Sequence, residues 1–306
     1  GGEPLAAPNT IRELSRSFMA SCAKYDVPYV ASMTTNGSLL TPELIPEVLS
    51  WQVRTLQITL DGPARTHDRQ RKLMGGGGTF DRIFQNLKAL AATDAEFSVL
   101  LRINYTDQVL EAVPELLDLL GQHFGGDERF GVLPRPVSNL GGPLKGSFET
   151  CEAGHQFEII EQAMRRGMRS GSLLERVLKP HGSVCYAAKP NSFVIGSDGT
   201  VYKCTVALAD ERNHVGRLLP DGQMELNMDR FALWVTNDEQ ADPGCQTCFF
   251  RPACQGNACP LERMNKGEAP CPTWKTQIGD TLRVIALESD LLAAPAGTVL
   301  TAATGD

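Results

Sequence analysis

Seven of the nine cysteines in this 306-residue chain fall between Cys185 and Cys271, and their spacing constrains the fold more than any other feature. Cys245 and Cys248 form a C-x2-C pair. Cys254 follows after five residues, Cys259 after four more, and Cys271 closes the series. Upstream lie Cys185 and the sequence Gly199-x4-Cys204. Thiolates are soft donors that suit zinc and iron–sulfur clusters. An odd total with such close spacing suits metal better than a disulfide framework, and a reducing cytoplasm is the natural compartment. A structural zinc site takes four ligands. Seven cysteines do not divide into fours, but they fit one complete four-cysteine cluster and one cluster with three protein ligands. Zinc stays open as the alternative.

The rest of the chain is ordinary globular sequence. Hydrophobic residues make up 42% of it, enough for a sizeable core. A formal net charge of -7 argues against nucleic acid as the main partner. No run of eighteen apolar residues predicts a membrane span, and no signal peptide is visible. Apolar-rich segments over 29–33, 55–60, 97–104 and 130–133 read as strands. They alternate with helical patterns beginning at Thr10, Thr41 and Thr79 and over 110–120. Such alternation implies parallel strands joined by right-handed crossovers, with ligands at the strand C-terminal ends. Asp198-Gly199 and Asp221-Gly222, each between short apolar runs, predict two hairpins. A closing helix is expected over 272–287.

In order along the chain, Gly1-Gly2-Glu3-Pro4, Thr35-Asn36-Gly37, Thr59-Leu60-Asp61-Gly62, His67-Asp68-x2-Arg71 and Gly78-Thr79-Phe80 precede the spaced cysteines. Together these motifs resemble radical S-adenosylmethionine enzymes that carry a SPASM domain, and the likeness covers nearly all of 1–287. The family usually has three residues where this chain has Gln255 to Ala258. The resemblance implies a partial parallel (β/α) radical SAM barrel over 1–142 and a helical bridge over 143–181. A SPASM domain with β-hairpins would then occupy 182–290, and a disordered tail 291–306.

It implies two auxiliary [4Fe–4S] clusters with interleaved ligands: Cys245, Cys248, Cys254 and Cys271 for one, and Cys185, Cys204 and Cys259 for the other. With no eighth cysteine just before Cys185, the three-ligand cluster is expected to have an open iron. S-adenosylmethionine would be held by Gly1, Gly2, Glu3, Thr35, Asn36, Thr59, Asp61, Arg71 and Arg102. Glu3 would meet its amino group, and Thr59 and Arg102 its carboxylate. The family's C-x3-C-x2-C loop precedes GGEP and occurs nowhere in these residues. The resemblance therefore places it, with the catalytic cluster, upstream of Gly1.

The reaction implied is reductive cleavage of S-adenosylmethionine to a deoxyadenosyl radical, which takes a hydrogen from a peptide. The product would be a thioether or carbon–carbon crosslink in a ribosomally made peptide. The partners would be a peptide or protein substrate and an external electron donor, with no nucleic acid and no membrane. A sulfatase-maturing, formylglycine-generating enzyme is the alternative, although that group carries Asp where this chain has Thr205. A zinc-stabilised peptide-binding protein is the non-catalytic alternative. No catalytic residue is assigned. Arg65, His67, Arg69, Arg71 and Lys72 read as a solvated face, with Arg71 the exception and His67 in a loop; Cys22 reads as a core residue, and Cys151 as structural, with the missing fourth cluster ligand as its alternative. Gly75-Gly76-Gly77-Gly78 reads as a flexible loop, since no Lys-Ser/Thr follows to bind phosphate.

Overall fold

The computed structural model describes residues 2–73, 75–138, 150–151, 154–170, 173–237 and 242–293. Gly1 and positions 294–306 of the expected tail lie outside them. After one 3₁₀ turn, Pro4–Ala6, the order is α1 Pro8–Lys24, β1 Ala31–Thr35, α2 Ile45–Ser50, β2 Val53–Thr59, α3 Ala64–Gln70 and α4 Phe80–Ala91. Then come β3 Ser98–Tyr105, α5 Asp107–Leu110, α6 Val113–Phe124, β4 Phe130–Pro136, α7 Gln156–Met164 and α8 Leu173–Leu178. The remainder is β5 Val194–Ile195, β6 Thr200–Tyr202, β7 His214–Leu218, β8 Met224–Leu226, α9 Met228–Val235, α10 Pro243–Gln246, α11 Arg251–Cys254, α12 Pro260–Lys266, α13 Thr273–Thr276 and α14 Ile278–Ala293. Two compact units result. One holds β1–β4 with α1–α7 and the last turns of α14; the other holds β5–β8 and all seven spaced cysteines.

In the first unit the strands lie parallel in the order β1-β2-β3-β4. Parallel neighbours need crossovers, and helices supply them. Strand β3 shows how sequence sets the faces. Val99, Leu101, Ile103 and Tyr105 are fully buried, while Leu100, Arg102 and Asn104 alternate onto a half-exposed face. Helix α4 buries Ile83, Phe84, Leu87 and Leu90 at helical spacing and exposes Asp81, Arg82 and Lys88. Phe84 packs 5.6 Å from Phe124, which stacks 4.5 Å from Phe130, so α4, α6 and β4 share one aromatic seam. Beyond α7 the chain returns to the sheet: Arg169 bridges Gly131 in parallel. The next residue, Ser170, donates its hydroxyl to Glu288 Oε2 at 2.6 Å and its N–H to Oε1 at 3.1 Å, pinning α14.

Several elements depart from the sequence-based expectation. Helix α1 starts two residues before Thr10, because Pro8 has the φ and the missing N–H that suit a first turn. Thr41 begins only a turn, and α2 proper starts at Ile45. The stretch after Asp61 contains α3, so His67 is a buried helix residue rather than a loop residue. Cys22 is half-buried rather than in the core. The glycine run is closed by a bridge between Lys72 and Gly78. Asp68 Oδ1 there accepts the N–H groups of Thr79 and Phe80. A side-chain carboxylate thus occupies the start of α4. Gly78 is required at that point, since a Cβ would lie 2.2 Å from Asp68 Oδ2.

The second unit is built on an antiparallel meander, β5-β6-β7-β8, with both Asp-Gly turns where the sequence puts them. Helix α9 was not expected. It buries Trp234, whose indole N–H donates to the Arg212 carbonyl at 2.8 Å. Two small cores form. Ala187, Val201, Cys204, Val215 and Trp234 make one, and Phe250, Ala253 and Cys254 make the other. Helix α14 runs on through 291–293, positions that the sequence reading assigns to the tail. No helix among the described residues is long and apolar enough to cross a membrane.

Candidate functional site: two cysteine sets and a polar strand edge

The spaced cysteines lie in two groups. Cys245, Cys248, Cys254 and Cys271 line one pocket, together with Arg251 and Lys275. Short helices place them: Cys245 lies in α10, Cys254 ends α11, and Gln255 turns the chain in the left-handed region just after it. Burial raises the Cys254 thiol pKa, and neighbouring Cys248 and Cys271 raise it further. Burial also raises Cys245, helped by Asp242 and Cys254. Lys275 Nζ lies 3.0 Å from Cys271 Sγ.

Cys185, Cys204 and Cys259 form the second group. Burial raises the Cys185 thiol, and Cys259 and Cys204 add to the shift. Cys259 is raised by burial, with Glu262 and Cys204 contributing. The Cys185 N–H donates to the Asn257 carbonyl at 2.9 Å, which ties it to the Cys259 segment. Cys204 is fixed by Asn213, which is fully buried. Asn213 Oδ1 accepts the N–H groups of Lys203 and Cys204, and its Nδ2 donates to the carbonyls of Cys204 and Ala207. All four hydrogen-bonding positions of that amide are used, so the Cys204 loop has one arrangement. Among the described residues, no three Cys, His, Asp or Glu side chains converge closely enough to hold a single metal ion. The donor chemistry of both sets, all thiol and mutually crowded, fits iron–sulfur ligation.

At the C-terminal edge of the parallel sheet lies a polar network. Glu3 caps the first turn through Leu5 N. Its Oε1 also accepts the Thr35 hydroxyl at 2.6 Å, and its Oε2 accepts the Asn36 N–H at 2.7 Å. Gly37 lets the chain turn there at positive φ, and a Cβ on it would lie 2.9 Å from Ile58 Cγ2. Register sets Thr35 beside Ile58, Thr59 beside Arg102, and Asn104 beside Arg135. Asp61 is 2% exposed. Its Oδ1 accepts both the backbone and side-chain N–H of Asn104, and its Oδ2 pairs with Arg71 Nε at 2.6 Å. Asp61 thus stands behind the edge and holds other residues in place. Arg102 donates to Asn104 Oδ1 at 2.7 Å. Burial lowers the pKa of Arg102, and Arg71 lowers it further while Asp61 opposes. Arg135 is lowered by burial and then by Arg102. Arg71 and Arg102 beside Asp61, with Arg135 next to Arg102, make this edge fit an anionic group. Arg135 escaped the sequence analysis because its place beside Asn104 is set only by strand register.

His67 organises the turn between β2 and α4. Its Nδ1 accepts the Asp61 N–H at 3.1 Å, so Nε2 carries the proton and donates to Thr79 Oγ1, which donates in turn to the Arg71 carbonyl. Burial lowers its pKa below the ordinary 6.5, and Asp61 opposes the shift. The unfolded chain therefore takes up a proton below about 6.5 that the folded chain refuses. Stability should fall as pH drops from about 6.5 toward the lowered value, and His67→Asn should flatten that part of a thermal-melting profile. An unchanged slope would show that His67 is not the group responsible.

No protein-family model matches the chain. A stretch of 102 residues, 32% of this chain, is 32% identical to the AdoMet-dependent heme synthase of Methanosarcina barkeri (strain Fusaro / DSM 804). The match spans 26% of that protein, about a quarter of its length. In fold the chain is similar to native anSMEcpe with bound AdoMet and Cp18Cys peptide. The TM-score is 0.63 at 16% identity, over 96% of this chain and 85% of that one. The same protein with AdoMet and Kp18Cys peptide gives 0.64 at 15% identity, over 96% and 84%. The likeness in fold matches the architecture described above, a parallel α/β sheet unit followed in sequence by a separate antiparallel sheet.

Proposed function

We propose that this protein is a radical S-adenosylmethionine maturase that crosslinks a ribosomally made peptide through a thioether or carbon–carbon bond. The observation that carries the reading is the division of seven cysteines into a set of four around one pocket and a separate set of three. Clusters of the [4Fe–4S] type, when bound, supply one-electron transfer and a soft Lewis-acidic iron. Cys245, Cys248, Cys254 and Cys271 hold one of them, and Cys185, Cys204 and Cys259 the other.

At the sheet edge, Glu3 meets the amino group of S-adenosylmethionine, with Gly2, Thr35 and Asn36 shaping the approach. Arg102, Arg71 and Thr59 meet its carboxylate, and Asp61 holds Arg71 in place for that contact. A peptide partner is supported by the peptide bound in the anSMEcpe structures of similar fold. An external donor supplies electrons.

The same likeness supports a sulfatase-maturing activity. Against it, the residue after Cys204 is Thr205, and its hydroxyl is engaged with the Tyr186 hydroxyl at 2.8 Å. No carboxylate stands there to act as a base.

Three thiolates leave one iron with a free position, and a peptide thiolate is the best soft donor for it. That contact would hold the sulfur near the attacked carbon. A capped Ala-Cys-Ala tripeptide should change the EPR signal of the three-cysteine cluster, and Ala-Ser-Ala should not. Identical spectra with both peptides would contradict the thioether reading.

A further inference from the structure

The second unit buries one lysine completely. Lys203 sits between Tyr202 and Cys204 and has no exposed surface. Its ammonium donates to the Lys189 carbonyl at 2.7 Å and to the Ser192 carbonyl. It also lies 4.8 Å from the ring centroid of Phe193 and 5.1 Å from that of Phe231. Carbonyls and rings offer dipoles and quadrupoles but no net charge. Among the described residues its partners are these carbonyls and rings, and no carboxylate pairs with it. A buried ammonium without a counter-charge is costly, and proteins keep one where an anion belongs.

The covalent path adds a second observation. The backbone of Lys203 adjoins Cys204, and both N–H groups are held by Asn213 Oδ1. Its side chain reaches the other way, to the loop that follows Cys185 and the turn Tyr186–Ala188. One side chain thus fastens the segment carrying Cys185 to the strand end carrying Cys204.

We infer that Lys203 is the clamp and counter-charge of the three-cysteine site, offsetting the negative charge that thiolates and cluster bring into this small core. The inference rests on the assignment of Cys185, Cys204 and Cys259 as cluster ligands. Lys275, beside Cys271 in the other set, serves as the internal contrast. A cation near a cluster favours the reduced form, so its removal lowers that cluster's midpoint potential more than that of the cluster it does not touch. Partners of metal ligands also govern retention, typically by about 10–100-fold.

The test is an EPR-monitored redox titration of the reconstituted full chain. The two cluster signals are assigned by their loss in Cys204→Ala and in Cys248→Ala. In Lys203→Met the midpoint of the Cys204-dependent signal should fall, and its bleaching by chelator should quicken about tenfold or more. The midpoint of the Cys248-dependent signal should move less. Ser192→Asp places a carboxylate beside the same ammonium at a half-exposed position, so it tests the idea even if Lys203→Met does not fold. It should shift the same midpoint in the same direction. Wild-type midpoints in both variants would overturn the role of Lys203 and leave the cluster assignment standing. Absence of any Cys204-dependent cluster in the wild-type protein would overturn the assignment and the inference together.

Discussion

Asp61→Ala is expected to destabilise the parallel-sheet unit by roughly 1–3 kcal/mol, the cost of leaving hydrogen-bond donors without their acceptor, because Arg71 is 39% exposed and its lost ion pair is screened by water. Asp61 is 2% exposed, and both its oxygens are taken by Arg71 and Asn104. Without it, the half-buried N–H groups of Asn104 lose their acceptor, and Arg71 and Arg102 lose the carboxylate between them. Asp61→Asn keeps the shape and part of the hydrogen bonding, so its loss should be smaller. Chemical denaturation of both variants measures the difference. A stability within about 0.5 kcal/mol of wild type in Asp61→Ala, the usual range for an inconsequential surface change, would mean that Asp61 does not hold the sheet edge together.

What the sequence made legible was the chemistry carried by local spacing. The C-x2-C pair, the Gly199-x4-Cys204 hairpin end and the Asp-Gly turns each sit within a few residues, and each appears where expected. The parallel strands were legible because β2 and β3 carry strong apolar patterns that flanking polar residues punctuate. Helix α3 was not. Its sequence, Ala-Arg-Thr-His-Asp-Arg-Gln, has no apolar stripe, and the residue it buries is His67, which periodicity scores as polar. Helix α9 is only eight residues long and follows a strand directly, so its pattern was too short to separate from its surroundings.

Within the site, residues whose importance comes from tertiary placement were also invisible. Glu3 and Thr35 were named from their motifs, but the hydrogen bond that joins them across 32 positions was not. Asn213 brackets Cys204 from nine residues away, and Lys203 reads in the sequence as an ordinary strand-end lysine until its burial is seen. Local spacing specifies which atoms can ligate. Register and burial decide which groups hold those ligands still.

Cys248→Ala and Cys204→Ala should each remove about one cluster's worth of iron and sulfide, and not from the same cluster, because each cluster depends on its own thiolates. Cys248 packs against the core of Phe250, Ala253 and Cys254, whereas Cys204 belongs to the core of Val201, Val215 and Trp234. The two cores share no residue, so each variant removes a thiolate from one core only. Mössbauer spectroscopy of the anaerobically reconstituted wild-type chain and the two variants tests this most directly. Two distinguishable [4Fe–4S] components are predicted in the wild type, with a different one missing from each variant. A colourless wild-type protein holding zinc without sulfide, or the same component lost from both variants, would contradict the account.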